Sequence, residues 1–184
     1  MSRNITLPAD WDLLVGAVLE AARHRRLVVL LDGGSGAGKT TLAQCLQARL
    51  AEALGPVQLV SLDDIYPGWG GLAAASAWVW QQVLHPVTPG HGKWSWEAGR
   101  MTGRVELDPR LPIIIEGCGA LSRESAPLAS SRLWFQMDAA ARRARALGRD
   151  GQIFAPHWEQ WAAQEAAHWH RNRPLQLADL VISA

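Results

Sequence analysis

The chain has 184 residues, 48% of them hydrophobic and 19% charged, which suits one compact domain with a sizeable buried core. Its formal net charge of +1 supplies no field to draw it onto nucleic acid or an anionic membrane, so any phosphate recognition has to come from local groups. No apolar run approaches the roughly 18 residues of a bilayer span, and the polar start Met1-Ser2-Arg3-Asn4 does not read as a secretory signal.

Taken in chain order, Trp11, Leu14, Val15, Val18 and Leu19 recur at helical spacing and predict a helix over Ala9 to His24. Leu27 to Leu31 is a short aliphatic run ending in Asp32 and a glycine cluster, the form of a strand buried on both faces. Helical period returns from Thr40 to Leu54, stopped by Gly55-Pro56. Val57 to Leu62 reads as a second strand leading into the turn Asp63 to Gly68, and Leu72 to Leu84 as a helix. The stretch from His85 to Asp108 has no sustained period; Trp94 to Glu97 and Arg104 to Leu107 are a candidate hairpin. Pro112 to Gly117 is a third strand and Arg132 to Met137 a fourth, followed by a helix from about Asp138 to Leu147. A break at Gly148 to Gly151, a helix from Ala155 to His170 and a last strand from Leu177 to Ile182 complete the series. Five buried strands alternating with helices imply an α/β fold, an open and mainly parallel sheet with helices on both faces, because parallel strands need crossover connections.

Gly33-Gly34-Ser35-Gly36-Ala37-Gly38-Lys39-Thr40 satisfies G-x-x-x-x-G-K-S/T, the Walker A pattern, between a predicted strand and a predicted helix. Its glycines let successive backbone N–H groups face a phosphate; Lys39 reaches the terminal phosphates, Thr40 offers its hydroxyl to Mg2+, and the helix N-terminus adds partial positive charge. The loop specifies nucleotide binding, with ATP the expected nucleotide, but not a reaction. Absence of an N-K-x-D motif argues against a GTPase.

Asp63, just past the second strand, would stand at the same sheet edge, where it could accept the proton of an acceptor hydroxyl or contact the metal; Asp64 could cap the turn or hold a metal-bound water. Glu116 follows an aliphatic strand in a Walker-B-like manner, so Thr40, Asp63 and Glu116 are the candidate magnesium contacts. Arg142, Arg145 and Arg149 fall at i, i+3 and i+7 and would share one helix face able to clamp polyphosphate, with Gly148 and Gly151 as hinges of a lid over about 142–156. The six histidines form no zinc pattern and read as packing or surface residues. Cys45 and Cys118 fit no paired spacing, which favours free thiols and a cytoplasmic protein. There are 10 Trp against 1 Tyr and 2 Phe, and Trp69, Trp94 and Trp96 are candidates to stack on a ligand, with Arg100 or Arg104 to hold an anionic group.

The order and spacing of Gly33 to Thr41, Val60-Ser61-Leu62-Asp63-Asp64-Ile65-Tyr66, Ile114-Ile115-Glu116-Gly117 and the basic segment from Arg142 to Gly151 resemble the uridine kinase and nicotinamide riboside kinase group of P-loop kinases. The resemblance implies a P-loop NTPase sheet of nucleoside-monophosphate-kinase type in one domain, with a substrate-side insertion at 66–110 and ATP with Mg2+ as cofactors. It further implies γ-phosphoryl transfer to a hydroxyl of a small, often ribosyl, molecule. By motif position, Lys39, Asp63, Glu116 and Arg145 take catalytic roles, and Gly33 to Thr41 with Arg142, Arg145 and Arg149 hold the nucleotide. The segment from Gly68 to Asp108 departs from the family, so the acceptor stays open. A nucleoside monophosphate kinase, using Arg100, Arg104 or Arg123, and a non-catalytic ATP-binding regulatory module are the alternatives. A homodimer is common among small kinases, but nothing in the sequence demands one.

Overall fold

The computed structural model describes residues 3–183, with the side chains of Arg149, Asp150 and Gln152 outside the description. In chain order it comprises β1 (Arg3–Thr6), α1 (Trp11–Ala21), β2 (Val28–Asp32), α2 (Lys39–Leu54), β3 (Gln58–Ser61), α3 (Leu72–Trp78), β4 (Gly90–Ser95) and β5 (Arg100–Glu106). β6 (Ile113–Glu116), β7 (Ser131–Phe135), α4 (Ala139–Phe154), α5 (Trp158–Asn172), α6 (Pro174–Leu177) and β8 (Leu180–Ser183) follow.

The main sheet is parallel throughout, in the order β1-β8-β7-β2-β6-β3. Every residue of β2 is buried, because successive side chains alternate between two apolar layers. Val28 and Leu30 join Val60, Ile113, Leu72 and Trp161 on one face. Val29 and Leu31 join Leu14, Val18, Leu42 and Leu46 on the other. Burial on both faces is what excludes polar residues from the β2 and β6 interiors and makes those strands readable as aliphatic runs. β2 sits between β6 and β7, so the loop that follows it opens above the middle of the sheet, at the carboxyl ends of its neighbours.

Four features depart from the sequence reading. The sheet has six strands where five were expected, because Arg3–Thr6 pairs in parallel register with Leu180–Ser183 at the edge. The helix from Leu72 changes to a π-helical turn over Val79–Val83. The hairpin is longer than expected and starts earlier, β4 pairing with β5 around a register shift at Lys93/Trp94. No break occurs at Gly148 to Gly151: α4 runs through both glycines to Phe154. A Cβ at either glycine would meet nothing within 4 Å, so each costs only the helix propensity of glycine, about 1 kcal/mol, which the alanine- and arginine-rich turns before them offset. The interruption falls at the 3-10 turn Ala155–His157, where Pro156 ends the α-helical bonding.

Candidate active site

The phosphate loop leaves β2 at Asp32 and enters α2 at Lys39. Gly33, Gly36 and Gly38 have φ of 154°, 80° and 98°, conformations that side chains rarely adopt. A Cβ on Gly33 would lie 2.5 Å from the Phe135 carbonyl oxygen, and one on Gly36 would collide with the Arg142 carbonyl. The glycines therefore serve close backbone approach as well as curvature.

Lys39 is buried and donates from Nζ to the Gly34 carbonyl (3.1 Å) and the Cys118 sulfur (3.3 Å). Burial alone would lower its pKa, but Cys118, Glu116, Glu165 and Asp32 around it more than offset that and hold it above the ordinary lysine value. Glu116 Oε1 accepts from Ser61 Oγ at 2.6 Å and from Thr40 Oγ1 at 3.0 Å. Burial pushes the Glu116 pKa up, opposed by Lys39 and by the two hydroxyls. Thr40, Asp63 and Glu116 all border one cleft of about 70 Å³, together with Lys39 and Thr41. Among the described residues no three His, Cys, Asp or Glu side chains form a metal cage. The donor set fits Mg2+ nonetheless, since that ion takes one or two carboxylates and completes its shell with phosphate oxygens and water.

A second cavity, of about 350 Å³, adjoins the first: Ser35, Asp63 and Trp161 border both. Its other walls are Tyr66, Trp69, Trp96, Ile153 and Phe154. The aromatic wall is locked by its own contacts, with Trp69 stacked on His157 (4.4 Å between centroids) and Phe154 (5.3 Å). Trp161 meets Tyr66 edge-on at 4.8 Å. Trp96 donates from Nε1 to the Asp63 carbonyl (2.9 Å), fixing the hairpin over the turn that carries Asp63. Another cavity, of about 320 Å³ between α3 and α5, contains no residue of the phosphate loop and does not reach Asp63.

The structure thus brings together Lys39, Thr40, Thr41, Asp63 and Glu116, and sets Trp69 and Trp96 beside them. Arg142 and Arg145 do not form the exposed stripe expected of them. Arg142 turns inward, 9% exposed, and donates to the Ser35 carbonyl; Arg145 is exposed, with Nη2 3.7 Å from where a Gly38 Cβ would stand. The Arg149 side chain lies outside the described residues. Arg104 is committed to Glu106 (2.8 Å) and the Thr88 carbonyl (3.3 Å), and neither it, Arg100, Arg123 nor Trp94 borders the aromatic cavity.

Three site residues escaped the sequence reading. Asp32, fully buried, accepts backbone N–H groups from Gly33, Gly119 and Leu121, tying the loop's start to the segment after β6. Cys118, 5% exposed, contacts Lys39, the Gly33 carbonyl and Glu165, and burial raises its thiol pKa well above the usual range. Glu165, 3% exposed, accepts from Ser35 N–H at 2.6 Å. A signal for it existed: Trp161, Glu165, His168 and Asn172 follow i, i+4, i+7, i+11, and three polar residues on the buried stripe of a helix mark a network.

No family model and no curated protein matches the chain. Solved structures do. One is named as a possible uridine kinase from Bacillus stearothermophilus: TM-score 0.66, 20% identity, covering 93% of this chain and 96% of that one. Another is named as a candidate fructose transport system kinase from Silicibacter sp. TM1040, with TM-score 0.58, 20% identity, and 92% and 97% covered. With the glycine loop, Lys39 and the parallel sheet in place, these matches show that the chain has the uridine-kinase-like P-loop kinase fold.

Proposed function

We propose that this protein is a kinase that transfers the γ-phosphoryl group of ATP to a hydroxyl of a small, flat metabolite of about nucleoside size. The observation that carries this reading is the junction of the two cavities at Ser35, Asp63 and Trp161. A polyphosphate held by the loop amides and Lys39 would present its terminal group there, and an acceptor lying against the Trp69 and Trp96 walls would present its hydroxyl to the same point. Asp63 takes the hydroxyl proton as the new O–P bond forms and the bond between the γ-phosphorus and its bridging oxygen breaks, releasing ADP. Mg2+, held through Thr40 and Glu116 and near Asp63, would offset charge on the phosphates. Arg145 beside Gly38 would add a cation on the open side, and the end of α4, carrying Ile153 and Phe154, would act with the hairpin as the cover that excludes water.

An acceptor without a phosphate suits this cavity better than a nucleoside monophosphate. Its described walls are aromatic and aliphatic apart from Ser35 and Asp63, and Arg104 is engaged elsewhere. The free buried thiol of Cys118 beside Lys39 suits a reducing compartment such as the cytoplasm.

The test is ADP release with Mg·ATP over a panel of nucleosides, nucleotides, sugars and vitamin precursors, with Lys39→Ala as control. One acceptor class should stimulate release. Asp63→Asn should lower the stimulated rate by about 10²–10⁴-fold while ATP affinity persists. ATP binding with no acceptor stimulation across the panel would replace the kinase reading with that of a nucleotide-binding regulatory module, and an active Asp63→Asn protein would remove Asp63 from its role.

A further inference from the structure

One residue of the phosphate loop is gripped at both of its flanking peptides from outside the loop. Ser35 N–H donates to Glu165 Oε1 at 2.6 Å, and the Ser35 carbonyl accepts from Arg142 Nη1 at 3.1 Å. The same guanidinium nitrogen lies 3.4 Å from Glu165 Oε2, so the charges that hold the two ends of this residue also face each other. They come from different helices, Arg142 from α4 and Glu165 from α5, and both are buried. Further contacts fix the pair: Trp161 Nε1 (3.2 Å) and Cys118 Sγ (3.1 Å) donate to Glu165 Oε1, and the Trp169 ring centroid is 5.5 Å from the Arg142 guanidinium. The loop is shaped to receive this grip. A Cβ on Gly34 would collide with the Arg142 guanidinium, and one on Gly36 with the Arg142 carbonyl.

We propose that Arg142 and Glu165 form a clamp that holds the outer arm of the phosphate loop, residues 34–36, in its nucleotide-receiving shape; they are positioning residues that act through Ser35. This rests on the reading of the loop as a nucleotide site. The attraction between the two charges is not by itself what holds the helices together, because a buried pair replaced by apolar side chains of similar volume commonly leaves stability unchanged or raises it, although Ser35 N–H and Trp161 Nε1 would lose their acceptor with Glu165. What apolar side chains cannot supply is an acceptor for Ser35 N–H together with a donor to its carbonyl. Without them the glycine-rich arm is free to sample other conformations, and ordering it again has to come out of the binding free energy. Ser35 borders both cavities, so the clamp fixes the wall at which phosphate and acceptor would meet. Arg145 follows on the same helix and stands beside Gly38, so the clamp also sets where that exposed cation stands relative to the cleft.

The experiment combines titration calorimetry with Mg·ATP, thermal unfolding and amide hydrogen exchange of residues 33–40. It compares the wild type, the double variant Arg142→Met with Glu165→Leu, and the single variant Arg142→Lys, whose ammonium ends one bond short of the Nη1 position that meets both Ser35 and Glu165 and has no planar face to set against the Trp169 ring. The double variant should melt below the wild type, because Ser35 N–H and Trp161 Nε1 lose their acceptor, and should bind Mg·ATP at least about 10-fold more weakly, with exchange in the loop accelerated beyond what the loss of global stability accounts for. Arg142→Lys should weaken binding in the same direction with its fold intact, which keeps the test decisive if the double variant folds poorly. Wild-type affinity and exchange in a folded variant would overturn the clamp. If the wild type itself fails to bind Mg·ATP, the nucleotide reading is lost, and loop exchange then decides the clamp alone.

Discussion

Asp32→Asn is the smallest change that would unfasten the site from the sheet. Asp32 Oδ1 accepts from Gly33 N–H (2.7 Å) and Gly119 N–H (3.2 Å), and Oδ2 accepts from Gly119 N–H (3.1 Å) and Leu121 N–H (2.9 Å). His168 Nε2 stands 3.6 Å from Oδ2. The Asn172 amide nitrogen can only donate to His168 Nδ1 at 3.0 Å, so Nε2 carries a proton and donates to the Leu121 carbonyl at 3.2 Å. Asparagine keeps the shape and one oxygen, but its NH2 group has to face a donor whichever way it turns: Gly33 N–H in one orientation, Leu121 N–H and His168 in the other. Losing one charge-assisted bond and stranding its buried donor costs about 2–4 kcal/mol. For a chain of 184 residues that is a fall in Tm of about 5–15 °C. Urea unfolding followed by tryptophan fluorescence gives the free energy, and calorimetry gives Tm. A loss below about 1 kcal/mol, with an unchanged m-value, would refute the assignment of Asp32 as the tie between the loop and the segment after β6.

Glu116→Gln should remove the acid limb of Mg·ATP binding. The Glu116 pKa is raised by burial, so the carboxylate that would help hold the metal is lost as pH falls through a value above the ordinary 4.5, and wild-type affinity should begin to fall above that pH. The sign for stability is opposite: the folded state holds this proton more tightly than the unfolded one, so this contribution to stability is lost as pH rises from about 4.5 through the raised value. Calorimetric titrations across that range should show a flatter profile for Glu116→Gln. Two glycine substitutions should move in opposite directions. Gly36→Ala meets a φ of 80° and the Arg142 carbonyl, and should cost about 1–2 kcal/mol or more with loss of ATP affinity. Gly148→Ala, in open space on α4, should stabilise the protein by about 0.4–1 kcal/mol in thermal unfolding.

Much of the fold was readable because its causes are local. Aliphatic runs such as Ile113 to Ile115 report burial on both faces, and the Leu42, Leu46, Leu50 spacing reports one buried helix face. The Walker A loop is a contiguous motif whose glycines, Lys39 and Thr40 each have a local reason. What stayed hidden depends on partners distant in sequence. Arg3–Thr6 has little strand character of its own and becomes β1 because the edge of β8 offers it a ladder. Gly148 and Gly151 looked like a break because glycine weakens a helix, but the neighbouring turns carried the helix on to Pro156. Arg142 looked like a phosphate ligand because its spacing with Arg145 put both on one side of a helix, but spacing cannot say which of two cations faces protein and which faces solvent.

The sequence by itself therefore determined that this protein has a mainly parallel α/β fold with a Walker A loop after a buried strand, and with carboxylates at Asp63 just past β3 and at Glu116 on the end of β6, since each of these follows from periodicity or contiguous residues. Only the tertiary structure decided that Asp32, Cys118, Arg142 and Glu165 brace that loop and that Tyr66, Trp69, Trp96 and Phe154 line one cavity beside it. The physical reason is that a buried polar group is defined by its partner, and these partners are brought together only when the helices pack against the sheet.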